Sequence, residues 1–171
     1  MNIPFSPPDI TEEEIEAVAE VMRSGWITTG PKTKELERKM AEFTHTNRGV
    51  CLNSATSCME MALRLFEIGP GDEVIVPAYT YTASASVVCH VGATLRLVDV
   101  EKGTFHIDYA AVESMINENT KAIIPVDLGG VMVDYDRIRA IVESKKSLFR
   151  PSSKMQEALG HILKQAPDCR L

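Results

Sequence analysis

Gly69-Pro70-Gly71-Asp72-Glu73-Val74-Ile75-Val76-Pro77 decides the fold. Its first four residues read as a turn, because glycine and proline are the strongest local punctuation in a chain. Glu73 to Val76 reads as a short strand that stops at Pro77. A helix follows over residues 81–91, and Gly92 is placed to end it. Turn, apolar strand and helix in this order make one half of a strand–helix–strand unit.

The same alternation continues in both directions. Residues 94–100 and 121–126 read as further strands. Asp108 is placed to cap a helix that reaches Ile116, and a helix is expected over residues 134–144. Upstream, residues 49–52 read as a short strand. Asn53 to Thr56 turns into a helix that runs to Phe66, with Ala55, Met59, Ala62, Leu63 and Phe66 facing inward. Before that come two amphipathic helices. The first opens on a capping box, Thr11 with Glu14, carries Ile15, Val18, Ala19 and Met22 on one face, and ends at Ser24-Gly25. The second begins at Pro31, which suits a first helical turn, and its apolar stripe is Leu36, Met40 and Phe43. Short apolar strands separated by such helices predict an α/β fold, an α-β-α sandwich around a mostly parallel sheet covered on both faces. Ligands in such sheets sit beyond the carboxyl ends of the strands. Past Ser147 the pattern thins to a short helix around Met155, Ala158, Leu159 and Ile162, and residues 165–171 carry no readable pattern.

The composition bounds the function. The chain has 171 residues, 44% hydrophobic and 25% charged, with a net charge of −6. It fits one domain or a large part of one. No basic stripe is present, so nucleic acid is not expected as a partner. No apolar run is long enough to span a membrane, and the N-terminus lacks a signal-peptide pattern, which leaves the cytoplasm as the expected location. Cys51, Cys58, Cys89 and Cys169 show no C-x-x-C spacing, and the four histidines form no H-x-x-x-H. Buried free thiols are expected and a metal site is not.

Two strand-end motifs carry possible chemistry. Asn53-Ser54-Ala55-Thr56-Ser57 lies between a strand and a helix, where small residues, unpaired first-turn amides and the positive end of the helix dipole suit an anion. That makes a phosphate cradle without a basic residue; a plain N-cap by Asn53 or Ser54 is the simpler alternative. Pro77-Ala78-Tyr79-Thr80-Tyr81-Thr82 also enters a helix from a strand end. A ring there suits stacking on a flat heteroaromatic ligand, or else covers the sheet edge. Gly69-x-Gly71 precedes its strand rather than following it, so it is a turn and not a dinucleotide fingerprint. Asp127, ahead of Gly129-Gly130, either faces the crevice or caps locally. Trp26 with Thr28 and Thr29 is unusual for a loop, since an indole seldom lacks a partner surface.

The ordered set of landmarks resembles the DegT/DnrJ/StrS family of sugar aminotransferases, of the aspartate-aminotransferase fold type. The matching residues are Ile3-Pro4-Phe5, Gly25-Trp26-Ile27-Thr28-Thr29-Gly30-Pro31 and Asn53-Ser54-Ala55-Thr56. They continue with residues 69–77, Tyr79-Thr80-Tyr81, Gly92-Ala93, Asp99-Val100, Ile107-Asp108, residues 120–126 and Asp134-Tyr135-Asp136, so the likeness runs from residue 3 to about 146. The resemblance implies the cofactor pyridoxal 5'-phosphate, with Ala55 and Thr56, flanked by Ser54, at its phosphate and Tyr81 stacked on its ring. It implies that Trp26, Thr28 and Thr29 lie on an active-site loop at a dimer interface. It implies transfer of an amino group, usually from glutamate, to a keto group on a nucleotide-linked sugar, feeding polysaccharide, lipopolysaccharide or antibiotic synthesis.

Two departures qualify the resemblance. Asp127 stands where many members carry histidine. The family's aspartate for the pyridine nitrogen and its Schiff-base lysine are not found among these residues, which removes ring protonation and the covalent anchor. The organisation expected on this basis is an N-terminal helix with its active-site and dimer loop over 1–30, part of a cofactor-binding large domain over 31–146, and a divergent or truncated tail over 147–171. A premature end of the reading frame is the expected cause, and a chain inactive by itself the expected result. Alternatives are a non-catalytic assembly fragment that pairs with a full-length paralogue, and a sugar dehydratase variant of the same fold.

Overall fold

The computed structural model describes Ile3 and residues 6–165. Among these residues the helices are α1 Glu12–Ser24, α2 Pro31–Phe43, α3 Ala55–Leu65, α4 Ala83–His90, α5 Tyr109–Met115, α6 Tyr135–Lys145 and α7 Ser153–Gln165. The strands are β1 Glu73–Pro77, β2 Thr94–Val98 and β3 Thr120–Ile123. The chain divides into two compact units, Met1–Cys51 and Leu52–Leu171.

In the second unit the strands lie in the order β2-β1-β3, and both pairings are parallel. β1 is therefore the central strand. Its side chains alternate between faces, and both faces are dry: Val74, Ile75 and Val76 are all 0% exposed. Val74 and Val76 join Leu63, Ile68, Val87, Val88 and Met155 in the core beneath α3, α4 and α7. Ile75 joins Ile107, Tyr109, Val112, Ile138 and Ile141 in the core beneath α5 and α6. Each such side chain contributes on the order of 1.5–3 kcal/mol when fully buried. The expected sandwich of helices on both faces of a parallel sheet is thus what forms.

This strand order creates the crevice. The chain leaves β1 through α4 to reach β2, then crosses back over β1 through α5 to reach β3. Crossovers of one hand that travel in opposite directions must lie on opposite faces, as α4 and α5 do. The order reverses around β1, and an open α/β sheet leaves room for a ligand outside the carboxyl ends of the strands at such a reversal.

Caps fix the helix starts. Ser54 Oγ accepts the Ser57 amide at 3.1 Å, Asp108 accepts Ala111 at 3.0 Å, and Asp134 accepts Arg137 at 2.9 Å. In the first unit the α1 capping box closes as expected, with the Thr11 amide donating to Glu14 at 2.6 Å. These bonds, led by the Thr11 hydroxyl, hold the Glu14 carboxyl below its ordinary range. Gly25 ends α1 at a φ of 73°, a left-handed turn that glycine adopts without strain.

Several expectations fail. No strand forms over residues 49–52. An isolated run cannot make a ladder without a neighbour, and the Cys51 amide instead donates to the Glu37 carboxylate at 3.1 Å. The expected stripes of α1 and α2 form, and Ile15, Val18, Met22, Leu36, Met40 and Phe43 on them are exposed. On α3, Leu63 is buried and Met59 and Phe66 are half-buried, but Ala55 and Ala62 are exposed. Cys51, Cys58 and Cys89 are free but not buried: Cys51 is half-buried, and Cys58 and Cys89 are exposed. β3 ends at Ile123, three residues early, although the Ile124 amide still bonds to Ile75 O at 2.9 Å. The last helix is longer than expected, because Met155 is 2% exposed and anchors it in the core. Pro4, Phe5 and the segment 166–171 with Cys169 lie outside the described residues.

Candidate functional site

The segments leaving the carboxyl ends of the strands build the site. α4 is the crossover between two parallel strands, so it runs against them and its N-terminus lies at that edge. α3 packs along α4, and their C-terminal halves are tied: Glu60 accepts Arg64 at 2.7 Å and meets His90 Nδ1 at 2.9 Å, while Arg64 reaches His90 O at 3.5 Å. The Glu60 carboxyl is held below its ordinary range, first by Arg64 and then by His90. Helices tied at their C-terminal halves bring their N-termini toward one edge. Residues 54–57 and 78–82 therefore share the carboxyl side of the sheet.

Charge distinguishes these helix starts from those of α5 and α6 in the same unit. α5 begins on Asp108, and α6 begins on Asp134 with Asp136 in its first turn. Those termini are already occupied by the protein's own carboxylates. α3 starts on neutral Ser54 and has no acid in its first turn, and α4 also has none and lacks a side-chain cap. Ser54 Oγ satisfies the Ser57 amide, and Ser54 O accepts Cys58 at 3.1 Å. The Ala55 and Thr56 amides, at the first two helical positions, have no carbonyl to reach within the helix. The simpler sequence alternative, a cap by Ser54, is thus what the structure contains, and it leaves two donors directed outward with the positive end of the dipole behind them. This set suits an anionic group such as a phosphate.

The two tyrosines differ. Tyr79 stacks on Phe105, with ring centres 5.2 Å apart and planes 17° from parallel. Tyr81 is 79% exposed and leaves its ring open. In the first unit, Trp26 Nε1 donates to Thr29 O at 3.1 Å and folds the loop onto itself, while Thr28 and Thr29 remain exposed. An added Cβ at Gly30 would lie 2.1 Å from the indole nitrogen. Glycine there makes room for the ring.

Asp127 does not reach out of its loop. Its Oδ1 accepts the Val133 amide at 2.8 Å and its Oδ2 accepts the Tyr135 hydroxyl at 2.9 Å. Burial, and then this carboxylate, push the Tyr135 phenol up from its ordinary 10.0. Tyr109 holds the same segment, accepting the Asp134 amide at 2.8 Å while Arg137 covers its ring at 4.2 Å. Nearby, Thr104, Phe105, His106, Leu128 and Val131 line a shallow cleft of about 220 Å³. Sequence reasoning missed both the Phe105 stack and this cleft, because neither leaves a local signal.

A three-stranded parallel sheet with helices on both faces defines an α/β protein. The DegT/DnrJ/EryC1/StrS aminotransferase family matches residues 8–149, and the chain belongs to that family. Spr1654 from Streptococcus pneumoniae, assigned as a sugar aminotransferase and solved in apo, pyridoxamine-phosphate and pyridoxal-phosphate forms, is 60% identical. Its apo form superposes with a TM-score of 0.88 over 93% of this chain. DesV from S. venezuelae is 36% identical over 79% of the chain with a TM-score of 0.75. An aminotransferase from Psychrobacter cryohalolentis is 34% identical over 84%, with a TM-score of 0.77. The chain spans 40%, 36% and 37% of these three proteins respectively. Among the described residues no helix is long and apolar enough to cross a membrane.

Proposed function

We propose that these residues form the cofactor-phosphate wall of a pyridoxal-phosphate-dependent sugar aminotransferase. The protein would move an amino group, from glutamate, onto a keto group of a nucleotide-linked sugar. The observation that carries the reading is the acid-free start of α3 on the carboxyl side of the sheet. The family match and the cofactor forms of Spr1654 support it.

Ala55 and Thr56 bind the ester phosphate through their amides, and Ser54 sets the helix start that aims them. Tyr81 covers one face of the pyridine ring and excludes water from it. Trp26, Thr28 and Thr29 serve a subunit-shared site, the second subunit being either an identical copy or a paralogue. When bound, the cofactor supplies the electron sink that lets an amino group leave one carbon and join another. The anchoring lysine and the acid for the ring nitrogen are not found among these 171 residues, which supply the phosphate wall rather than the covalent anchor. A cytoplasmic location in the synthesis of surface or secreted sugars follows from the substrate class.

The test is an amide-resolved titration of the purified chain with pyridoxal 5'-phosphate and with pyridoxal. Saturable shifts at Ala55 and Thr56 with the ester, absent with the alcohol, are expected. A helix terminus contributes only about 0.3–2 kcal/mol to holding an anion, so the affinity is low. Shifts elsewhere with α3 silent would overturn the assignment.

A further inference from the structure

The loop that leaves β3 is held by a latch that the phosphate wall does not use. We propose that Asp127 is a positioning residue: its carboxylate fixes the 128–132 loop so that Leu128 and Val131 stand opposite Phe105 and His106 as a wall for the sugar-nucleotide substrate. The substrate assignment rests on the aminotransferase reading; the latch rests on the geometry alone.

The carboxylate spans the loop from its first side to its last. One oxygen takes the Val133 amide at 2.8 Å and the other takes the Tyr135 hydroxyl at 2.9 Å, so both ends of the loop are tied to one side chain. The far end is doubly fixed, because Tyr109 accepts the next amide, Asp134, at 2.8 Å. Between these ties the backbone has its own freedom: Gly129 and Gly130 take φ values of 62° and 79°. A double glycine in the left-handed region resists collapse poorly, so the loop keeps one shape because its ends are clamped. Hydrogen bonds to a charged acceptor are the stronger kind.

The clamped segment faces something. Leu128 and Val131 line the cleft of about 220 Å³ with Thr104, Phe105 and His106. The loops that build it leave the carboxyl ends of β2 and β3, on the side where α3 and α4 begin. Apolar walls with a few polar groups suit a ring with C–H faces and hydroxyls, and Phe105 is already braced by Tyr79 at 5.2 Å. Asp127 directs one bond from each oxygen back into its own segment, which is the role of a residue that shapes the wall.

The experiment follows methyl and amide signals of the purified chain during titration with a uridine-diphosphate hexose and, separately, with pyridoxal 5'-phosphate. In the native chain the Leu128 and Val131 methyls shift with the sugar nucleotide. Asp127→Ala exposes the Val133 amide to exchange at least about tenfold faster and weakens the sugar-nucleotide response by a similar factor, while pyridoxal phosphate shifts at Ala55 and Thr56 persist. Asp127→Asn keeps an acceptor for Val133 and restores its protection in part. In Asp127→Asn the phenol of Tyr135, freed of a neighbouring charge, titrates lower than in the native chain, a change that loss of fold would not produce. Unchanged cleft shifts in Asp127→Ala, or a native cleft that ignores the sugar nucleotide, would overturn the proposal. Silent α3 amides with a responsive cleft would count against the cofactor reading alone.

Discussion

Thr56→Asp sets helix stability and anion binding against each other. Thr56 is half-buried at the second position of α3, in a first turn that holds no acid. A carboxylate there meets the positive end of the helix dipole and stabilises the fold by about 0.3–1 kcal/mol. The same carboxylate stands beside any phosphate on the Ala55 and Thr56 amides. Two unit charges 4 Å apart repel by about 1 kcal/mol in bulk water, so a dianionic ester loses about 2 kcal/mol. At about 1.4 kcal/mol per tenfold change, binding weakens roughly thirtyfold. Denaturant titration reads the first quantity and pyridoxal 5'-phosphate titration the second. A variant that is as stable as the parent or more so, and that binds the ester far less, is the expected result. Equal affinity in the two chains would refute the reasoning, because no anion could then be seated on those amides.

Two further outcomes follow from the structure. The Glu60 carboxyl is held below 4.5 by Arg64 and then by His90; a depressed acid stabilises the fold above its ordinary value and loses that contribution as pH falls through the folded-state value. The stability gap between the native chain and Glu60→Gln should close on acidification below about 4.5, and a gap constant from neutral to acid pH would show the tie to be inert. Gly30→Ala should push the indole of Trp26 off the loop, since the added carbon would lie 2.1 Å from its nitrogen. Trp26 is the single tryptophan, so its emission reports the move, with stability changed by less than about 1 kcal/mol at so exposed a loop; an unshifted spectrum would count against the packing.

Features whose causes are local were legible in the sequence. The capping box at Thr11 and Glu14, the cap by Ser54, the aspartate caps at 108 and 134 and the apolar run of β1 each need only their neighbours. Residues 49–52 have the composition of a strand, but pairing is a property of two segments, and no ladder partner lies beside them. The stripes on α1 and α2 were read correctly as stripes; what covers a stripe is not written in its period. The Asp127 carboxylate could be seen as either a crevice group or a cap. Only the path of the chain decides, because Val133 and Tyr135 must curl back to reach it. Tyr79 and Tyr81 look alike in the sequence, and the distant Phe105 separates their roles.

Because Ile75 feeds one layer while Val74 and Val76 feed the other, β1 has no slack side on which a clumsy replacement could be absorbed. A volume error at Ile75 presses on the layer of α5 and α6, and one at Val74 or Val76 on the layer of α3, α4 and α7. The tyrosine-bearing segment after Pro77 is thus mounted on a strand gripped from both faces, and its aim is inherited from that strand.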